Sequence, residues 1–231
     1  MKLLIKIFSI LIFFLSTTFS LCQKKYEFDY LIEYKFTNYQ DSLGAKTISR
    51  YYLTNSNNSS YLALITNSDS LNYQMTFKDV KGITFNTNYL KSDFIKAEII
   101  NVDCYYISPY HFFLKNRINE YDFFNRKDTI INNTNYRKYE LYSTKPKKRK
   151  RKKLASEVYI VNKNTDFHKP ILHLPLAYAE WESKKNIPDG IFKERLLIDY
   201  YGNILNKEEI VGYHKIKKAI IIDSKCDYTK K

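Results

Sequence analysis

From residue 26 to residue 36, every second side chain is large and apolar: Tyr26, Phe28, Tyr30, Ile32, Tyr34 and Phe36. Between them stand Glu27, Asp29, Leu31, Glu33 and Lys35, and only Leu31 departs from the polar set. A period of two puts the rings on one face of an extended chain, which predicts a long strand with one buried and one wet face. The same period returns in Leu71, Tyr73, Met75 and Phe77. After a turn over residues 79–82 it continues in Ile83, Phe85, Thr87 and Tyr89, and the two runs predict a hairpin. Residues 48–54 and 61–66 read as further strands across the polar turn Asn55-Ser56-Asn57-Asn58-Ser59.

The second half repeats the pattern less regularly. Ile130-Ile131, the turn Asn132-Asn133 and residues 136–143 form another hairpin candidate. Residues 157–161 and 191–201 follow, and Gly202-Asn203 turns the chain into residues 204–211. Helical period is confined to short stretches around residues 110–119 and 176–184, and no fixed-period repeat is visible. With 22 Tyr and 15 Phe against only five Gly and five Pro, composition also favours pleated surfaces. The expected fold is mainly β: a strongly curved, half-barrel-like antiparallel sheet with a few short helices.

The N-terminus has a different character. Lys2 and Lys6 precede the apolar block Ile7-Phe8-Ser9-Ile10-Leu11-Ile12-Phe13-Phe14-Leu15, and the small-residue stretch Ser16-Thr17-Thr18-Phe19-Ser20 follows. This is the layout of a secretory signal, with an apolar block too short to span a bilayer. Residues 1–22 are therefore expected to be an export signal, and residues 23–231 a single β-rich domain, periplasmic or extracellular. Cleavage after Ser20 and cleavage after Cys22 both fit. Lipidation of Cys22 is a third alternative, against which stand Leu21 and Phe19 where that chemistry wants a small and an aliphatic residue. In an oxidising compartment Cys104 and Cys226 either form a disulfide or remain two thiols.

The formal charge of +14 is unevenly placed. Removing Lys2 and Lys6 lowers it to +12, and Lys145-Pro146-Lys147-Lys148-Arg149-Lys150-Arg151-Lys152-Lys153 carries eight of those charges, which leaves +4 for the body. No aromatic residue is interleaved with the run, and export removes it from the nucleus, so nucleic acid is not the expected partner. The run is expected to be an exposed hairpin loop. Lys147, Lys148, Arg149, Lys150, Arg151, Lys152 and Lys153 are the candidates for contact with lipid headgroups or an anionic envelope polymer.

Signatures of catalysis are missing. Gly44, Gly82, Gly190, Gly202 and Gly212 are never closer than ten residues, which excludes phosphate-cradling loops. No serine sits in a glycine-flanked nucleophile elbow. His168, His173 and Glu180 lack a further spaced ligand for a metal. Glu180 and Glu182 flank Trp181 in what reads as a short amphipathic element, and nothing local activates Cys104 beside His111. No catalytic residue, metal or cofactor is expected.

In its layout of signal, long Tyr-rich strand and successive hairpins, the chain resembles bacterial exported β-rich proteins of the GLPGLI type. The name-giving motif is replaced by Ile187-Pro188-Asp189-Gly190-Ile191. The segment Tyr159-Ile160-Val161-Asn162-Lys163-Asn164-Thr165 before Pro170 resembles the strand–turn–proline step of LolA-like lipoprotein carriers. That resemblance implies a curved sheet around an apolar cavity covered by short helices. Tyr26, Phe28, Tyr30, Tyr34, Phe36, Tyr73, Phe77 and Phe85 would then line the cavity and hold an acyl chain, with the basic run near its headgroup. The alternative is docking on anionic glycan or lipid through the basic run without a cavity.

Overall fold

The computed structural model describes residues 23–40, 44–110 and 115–230. The expected export signal over residues 1–22, Cys22 included, and His111 lie outside the described residues. Among the described residues, twelve strands form one open, curved sheet. They are β1 (Lys24–Asn38), β2 (Lys46–Asn55), β3 (Asn58–Asn67), β4 (Asn72–Asp79), β5 (Ile83–Leu90), β6 (Ile99–Val102) and β7 (Ile107–Pro109). The second half contributes β8 (Tyr121–Ile131), β9 (Thr134–Ser143), β10 (Ser156–Val161), β11 (Phe192–Ile198) and β12 (Ile204–Ile222). The spatial order is β7-β5-β4-β3-β2-β1-β12-β11-β10-β9-β8, antiparallel throughout, and β6 adds to β12 in parallel. Among the described residues, three short α-helices accompany the sheet: α1 (Lys91–Lys96), α2 (Pro146–Lys152) and α3 (Pro175–Lys184).

The two longest strands join the halves. β1 runs against β12 from Lys24 opposite Ile222 to Asn38 opposite Asn206, with register shifts at Phe28/Tyr30 and Glu33/Tyr34. Such irregularities bend a ladder and increase its twist. β2 pairs with β1 only from Tyr30 onward. The first residues of β1, with the end of β12 and β6, therefore turn across the face of β3, β4 and β5. There the Tyr26 ring meets Tyr61 at 4.9 Å and Phe77 at 4.7 Å.

Two cores result. In the first, Tyr30, Ile32, Tyr34, Tyr52, Tyr139 and Tyr159 are covered by Ile171, Leu172, Ile187 and Trp181 of α3. In the second, Tyr26, Phe28, Leu53, Ile65, Met75, Phe77 and Phe85 pack with Phe94 of α1, Ile100 and Ile220. Tyr52 and Leu53 are chain neighbours in opposite cores, as are Leu62 and Ala63, so β2 and β3 are buried on both faces. Each fully buried ring or branched chain contributes about 2–3 kcal/mol. β1 itself keeps the expected alternation, with every second residue from Tyr26 to Tyr34 buried and Glu27 and Lys35 exposed, and its one apolar exception, Leu31, packs against the second core.

The basic run also differs from its expected form. It is not a loop but α2, because Pro146 fits the first turn, Lys and Arg are good helix formers, and Lys153 adopts the left-handed conformation (φ 48°) that ends it. Of the helical stretch expected at residues 110–119, residues 111–114 lie outside the described residues and Lys115–Glu120 form a 3₁₀ helix, whereas α3 matches its expected position.

A disulfide joins Cys104 to Cys226, 122 residues apart in sequence. The two lie just beyond Val102 and Ile222, the last paired residues of β6 and β12. The bond thus fastens the parallel edge to its neighbour. Closing a loop of that size stabilises by about 5 kcal/mol at most in the chain-entropy model, and native bonds typically deliver about 2–4. Cys104→Ala/Cys226→Ala should lower the urea unfolding free energy by about 2–5 kcal/mol. A midpoint unchanged from the oxidised wild type would refute the bond as a stabilising element.

Candidate functional site

The eight aromatic candidates are not gathered round one space. Tyr26, Phe28, Phe77 and Phe85 are buried in the second core with Tyr73 packed against them, while Tyr30 and Tyr34 belong to the first. Phe36 is half-buried beneath the Arg50 guanidinium, 3.3 Å from the ring centroid. Between the sheet and the segment 168–175, two gaps of about 10 Å³ are lined by Thr54, Leu62, His168 and Leu172 and by Tyr61, Leu62, Leu172 and His173. Ligand pockets for small molecules span about 300–1,000 Å³. On the outer side, a mixed-charge cleft of about 530 Å³ lies over the first β1–β12 irregularity, between Lys25, Asp29, Glu98 and Lys217.

Beneath Ile171 the first core carries ions. Glu208 accepts from Arg50 Nη1 at 2.8 Å and from the Tyr52 hydroxyl at 2.9 Å, and its other oxygen pairs with Arg195. Arg195 Nη2 also donates to the Tyr52 oxygen at 3.1 Å, and Nη1 donates to His173 Nδ1. On the neighbouring strand the Tyr159 hydroxyl donates to Glu157. Burial pushes Glu157 above the usual carboxylate range, and Arg195 opposes that shift. The network ties β2, β11 and β12 to the covering segment. Removing one charge from such a buried pair costs about 3–5 kcal/mol, since its partner stays desolvated.

The three residues considered for a metal each have their own partners. His168 Nε2 lies 2.8 Å from Thr54 Oγ1 and Nδ1 lies 2.5 Å from the Lys169 carbonyl. A carbonyl only accepts, so Nδ1 carries the proton and Nε2 accepts from Thr54. Glu180, fully buried, pairs with Lys184 at 2.6 Å, and His173 is engaged by Arg195. Among the described residues, no three of His, Cys, Asp and Glu cluster as metal ligands.

The basic run has two sides. Lys148 pairs with Glu120, and Arg149 lies 3.9 Å from Glu140 and 4.6 Å from the Tyr142 ring centroid. The hydrogen bond from Lys148 holds Glu120 below the usual carboxylate range. Lys153, where the helix ends, places its ammonium 4.6 Å from the Tyr200 ring and 5.1 Å from that of Tyr201. Lys147, Lys150 and Arg151 occupy positions i, i+3 and i+4, share the other face and are exposed; Lys152, in phase with Lys148 and Arg149, is exposed at the end of the helix. Among the described residues, none of these four has a carboxylate within ion-pair distance. Helix phase therefore separates Lys147, Lys150 and Arg151 from Lys148 and Arg149, while Lys152 and Lys153 are exposed where the helix ends.

Burial first, then the Arg195 guanidinium, push His173 well below its ordinary value; burial also lowers His168. An imidazole neutral in the folded chain but protonated in the unfolded one makes stability fall as pH drops below about 6.5. The expected slope is about 1.4 kcal/mol per pH unit for each such histidine. Urea melts at pH 7.5 and 5.5 should show a smaller pH effect in His173→Gln than in the wild type. Equal slopes would show that His173 is not held neutral.

No protein-family model matches the chain, and no curated protein matches its sequence. Among solved structures, a chain of the Pseudomonas aeruginosa MucA/MucB complex is similar over 82% of this chain and 52% of that one, with 6% identity and a TM-score of 0.43. The chain thus spans about half the length of the MucA/MucB chains it matches. A domain from Vibrio parahaemolyticus assigned to outer membrane lipoprotein sorting is similar over 81% of this chain and 85% of its own, at 10% identity and a TM-score of 0.31. A DUF1329 family protein from Desulfovibrio piger is similar over 84% and 81%, at 9% identity and a TM-score of 0.33.

Proposed function

We propose that the protein is an exported, non-catalytic binding protein that docks on an anionic envelope surface through α2. The observation that carries this reading is the outward face of Lys147, Lys150 and Arg151, fixed on a helix and free of neighbouring carboxylates among the described residues. Like charges at those spacings destabilise a helix by about 0.2–0.5 kcal/mol per pair. An anionic surface attracts each basic residue by about 1 kcal/mol, so docking outweighs the repulsion that the helix maintains. Export is supported by the signal layout of residues 1–22 and by the Cys104–Cys226 bond, which suits an oxidising compartment.

The test is co-sedimentation of purified protein with isolated cell envelopes over a salt series. Wild-type protein should pellet at low salt and be released as salt rises. Lys147→Gln/Lys150→Gln/Arg151→Gln should weaken association by about two orders of magnitude, since about 3 kcal/mol of attraction is removed. Association of the triple variant equal to that of the wild type would overturn the reading.

A second reading is favoured by one observation. The two small gaps and the contact between Ile171, Tyr34 and Arg195 all lie along the segment 168–175, which is the face an acyl ligand would enter if that segment lifted. In that mode the Tyr30–Tyr34 side of the first core would receive the chain. Displacement of a fluorescent fatty acid, together with an apolar molecule in native mass spectra, would establish it. An unchanged probe signal would remove it.

A further inference from the structure

The turn between β11 and β12 stands beside the basic helix and is unusual in what it exposes. Asp199 accepts from the backbone N–H of Tyr201 and of Asn203, each at 2.8 Å, and from Asn203 Nδ2 at 2.9 Å. The Gly202 N–H reaches the Asp199 carbonyl at 3.3 Å, and Gly202 has φ 95°, a conformation that side chains with a Cβ rarely adopt. These bonds, that from Asn203 foremost, hold Asp199 below the usual carboxylate range. The turn is therefore closed by its own hydrogen bonds and presents two consecutive rings, Tyr200 and Tyr201, edge to face at 5.5 Å. Tyr201 is 70% exposed although no packing requires it there.

Lys153 joins this turn to α2, since its ammonium lies against both rings. The C-terminal end of the basic helix and an exposed tyrosine thus adjoin through Lys153. Tyrosine has an apolar body and a polar tip, and it settles at the level of lipid headgroups, where one end is wet and the other is not. Charge complementarity and the aromatic tip therefore favour the same occupant. A tyrosine ring also stacks on sugars, so an anionic polysaccharide is the competing occupant that the test below separates from a bilayer.

We infer that α2 and the Tyr200–Tyr201 turn together form a docking surface for an anionic phospholipid bilayer. Lys147, Lys150 and Arg151 contact headgroup phosphates, and Tyr201 enters the interface. This inference rests on the reading that α2 docks on an anionic surface, and it names the surface. No segment spans the membrane in this mode; among the described residues, no helix is long and apolar enough to cross one.

The experiment uses the exported chain with vesicles of phosphatidylcholine containing about a third phosphatidylglycerol, and pure phosphatidylcholine for comparison; the basic residues should confine binding to the anionic vesicles. Tyr201→Ala should weaken binding to the anionic vesicles about tenfold, by loss of ring burial. Tyr201→Trp should show a blue-shifted emission on binding and quenching by brominated lipid; Trp181 is buried, so the wild type supplies the background. Binding to anionic polysaccharide or to isolated envelopes but not to anionic vesicles would overturn the lipid assignment and leave docking standing. Vesicle binding with Tyr201→Ala unimpaired and Tyr201→Trp unshifted would overturn the role of the turn. Failure of the wild type to bind vesicles, polysaccharide and envelopes alike would overturn both readings.

Discussion

The ladder between β1 and β12 is the constraint on which the rest of the molecule depends. It joins the first strand to the last along nearly the whole length of β1, and each half of the sheet is attached to one of its edges. Strands β2 to β5 extend from β1, and β8 to β11 extend back from β12. Because the ladder is bent at two irregularities, its two ends face different parts of the sheet. One end closes over β3 to β5 as the second core; the other lies under α3 and segment 168–175 as the first. A flat ladder would leave one of these faces open to water.

Sharing β2 and β3 between two cores explains why so many large rings are packed and so little space remains. It also explains where the ions are. Arg50 on β2, Arg195 on β11 and Glu208 on β12 meet on the concave side, where apolar cover alone would leave no polar contact between the strands and segment 168–175. Buried ion pairs are weak sources of stability compared with apolar packing, but they penalise misregister heavily, because a shifted strand leaves a charge unpaired. The cationic groups on α2 follow the opposite principle. Those that face inward are satisfied by Glu120, Glu140 and aromatic rings, and the remainder are held outward together.

Much of this is legible in the sequence, and the reason is geometric. A period of two reports directly which side chains share a strand face, so β1, β4, β5, β9 and α3 stand close to their expected positions. It does not report which faces meet, so the division within β1, with Phe28 in one core and Tyr30 in the other, is hidden from it. β6 and β7 are too short to show a period. β12 reads short in the sequence because Lys215, Lys217 and Lys218 interrupt its apolar residues where the ladder bulges. The basic residues are visible as a run, but which of them face outward depends on helix phase, and a run without apolar residues carries none. For the buried network a partial signal exists: Glu157 is the one charge in a mostly apolar strand, whereas Arg195 is masked by Lys193 and Glu194 beside it. Tyr200-Tyr201 before Gly202-Asn203 is equally visible, but it reads as the end of a strand.

The disulfide has a bearing on the order of events during folding. Cys226 follows every strand in the sequence, and its partner sits beyond β6, a four-residue strand whose ladder partner is β12. The bond in native register therefore requires β6 to lie beside β12, and the cross-link marks those molecules in which the chain's last strand has reached that neighbour.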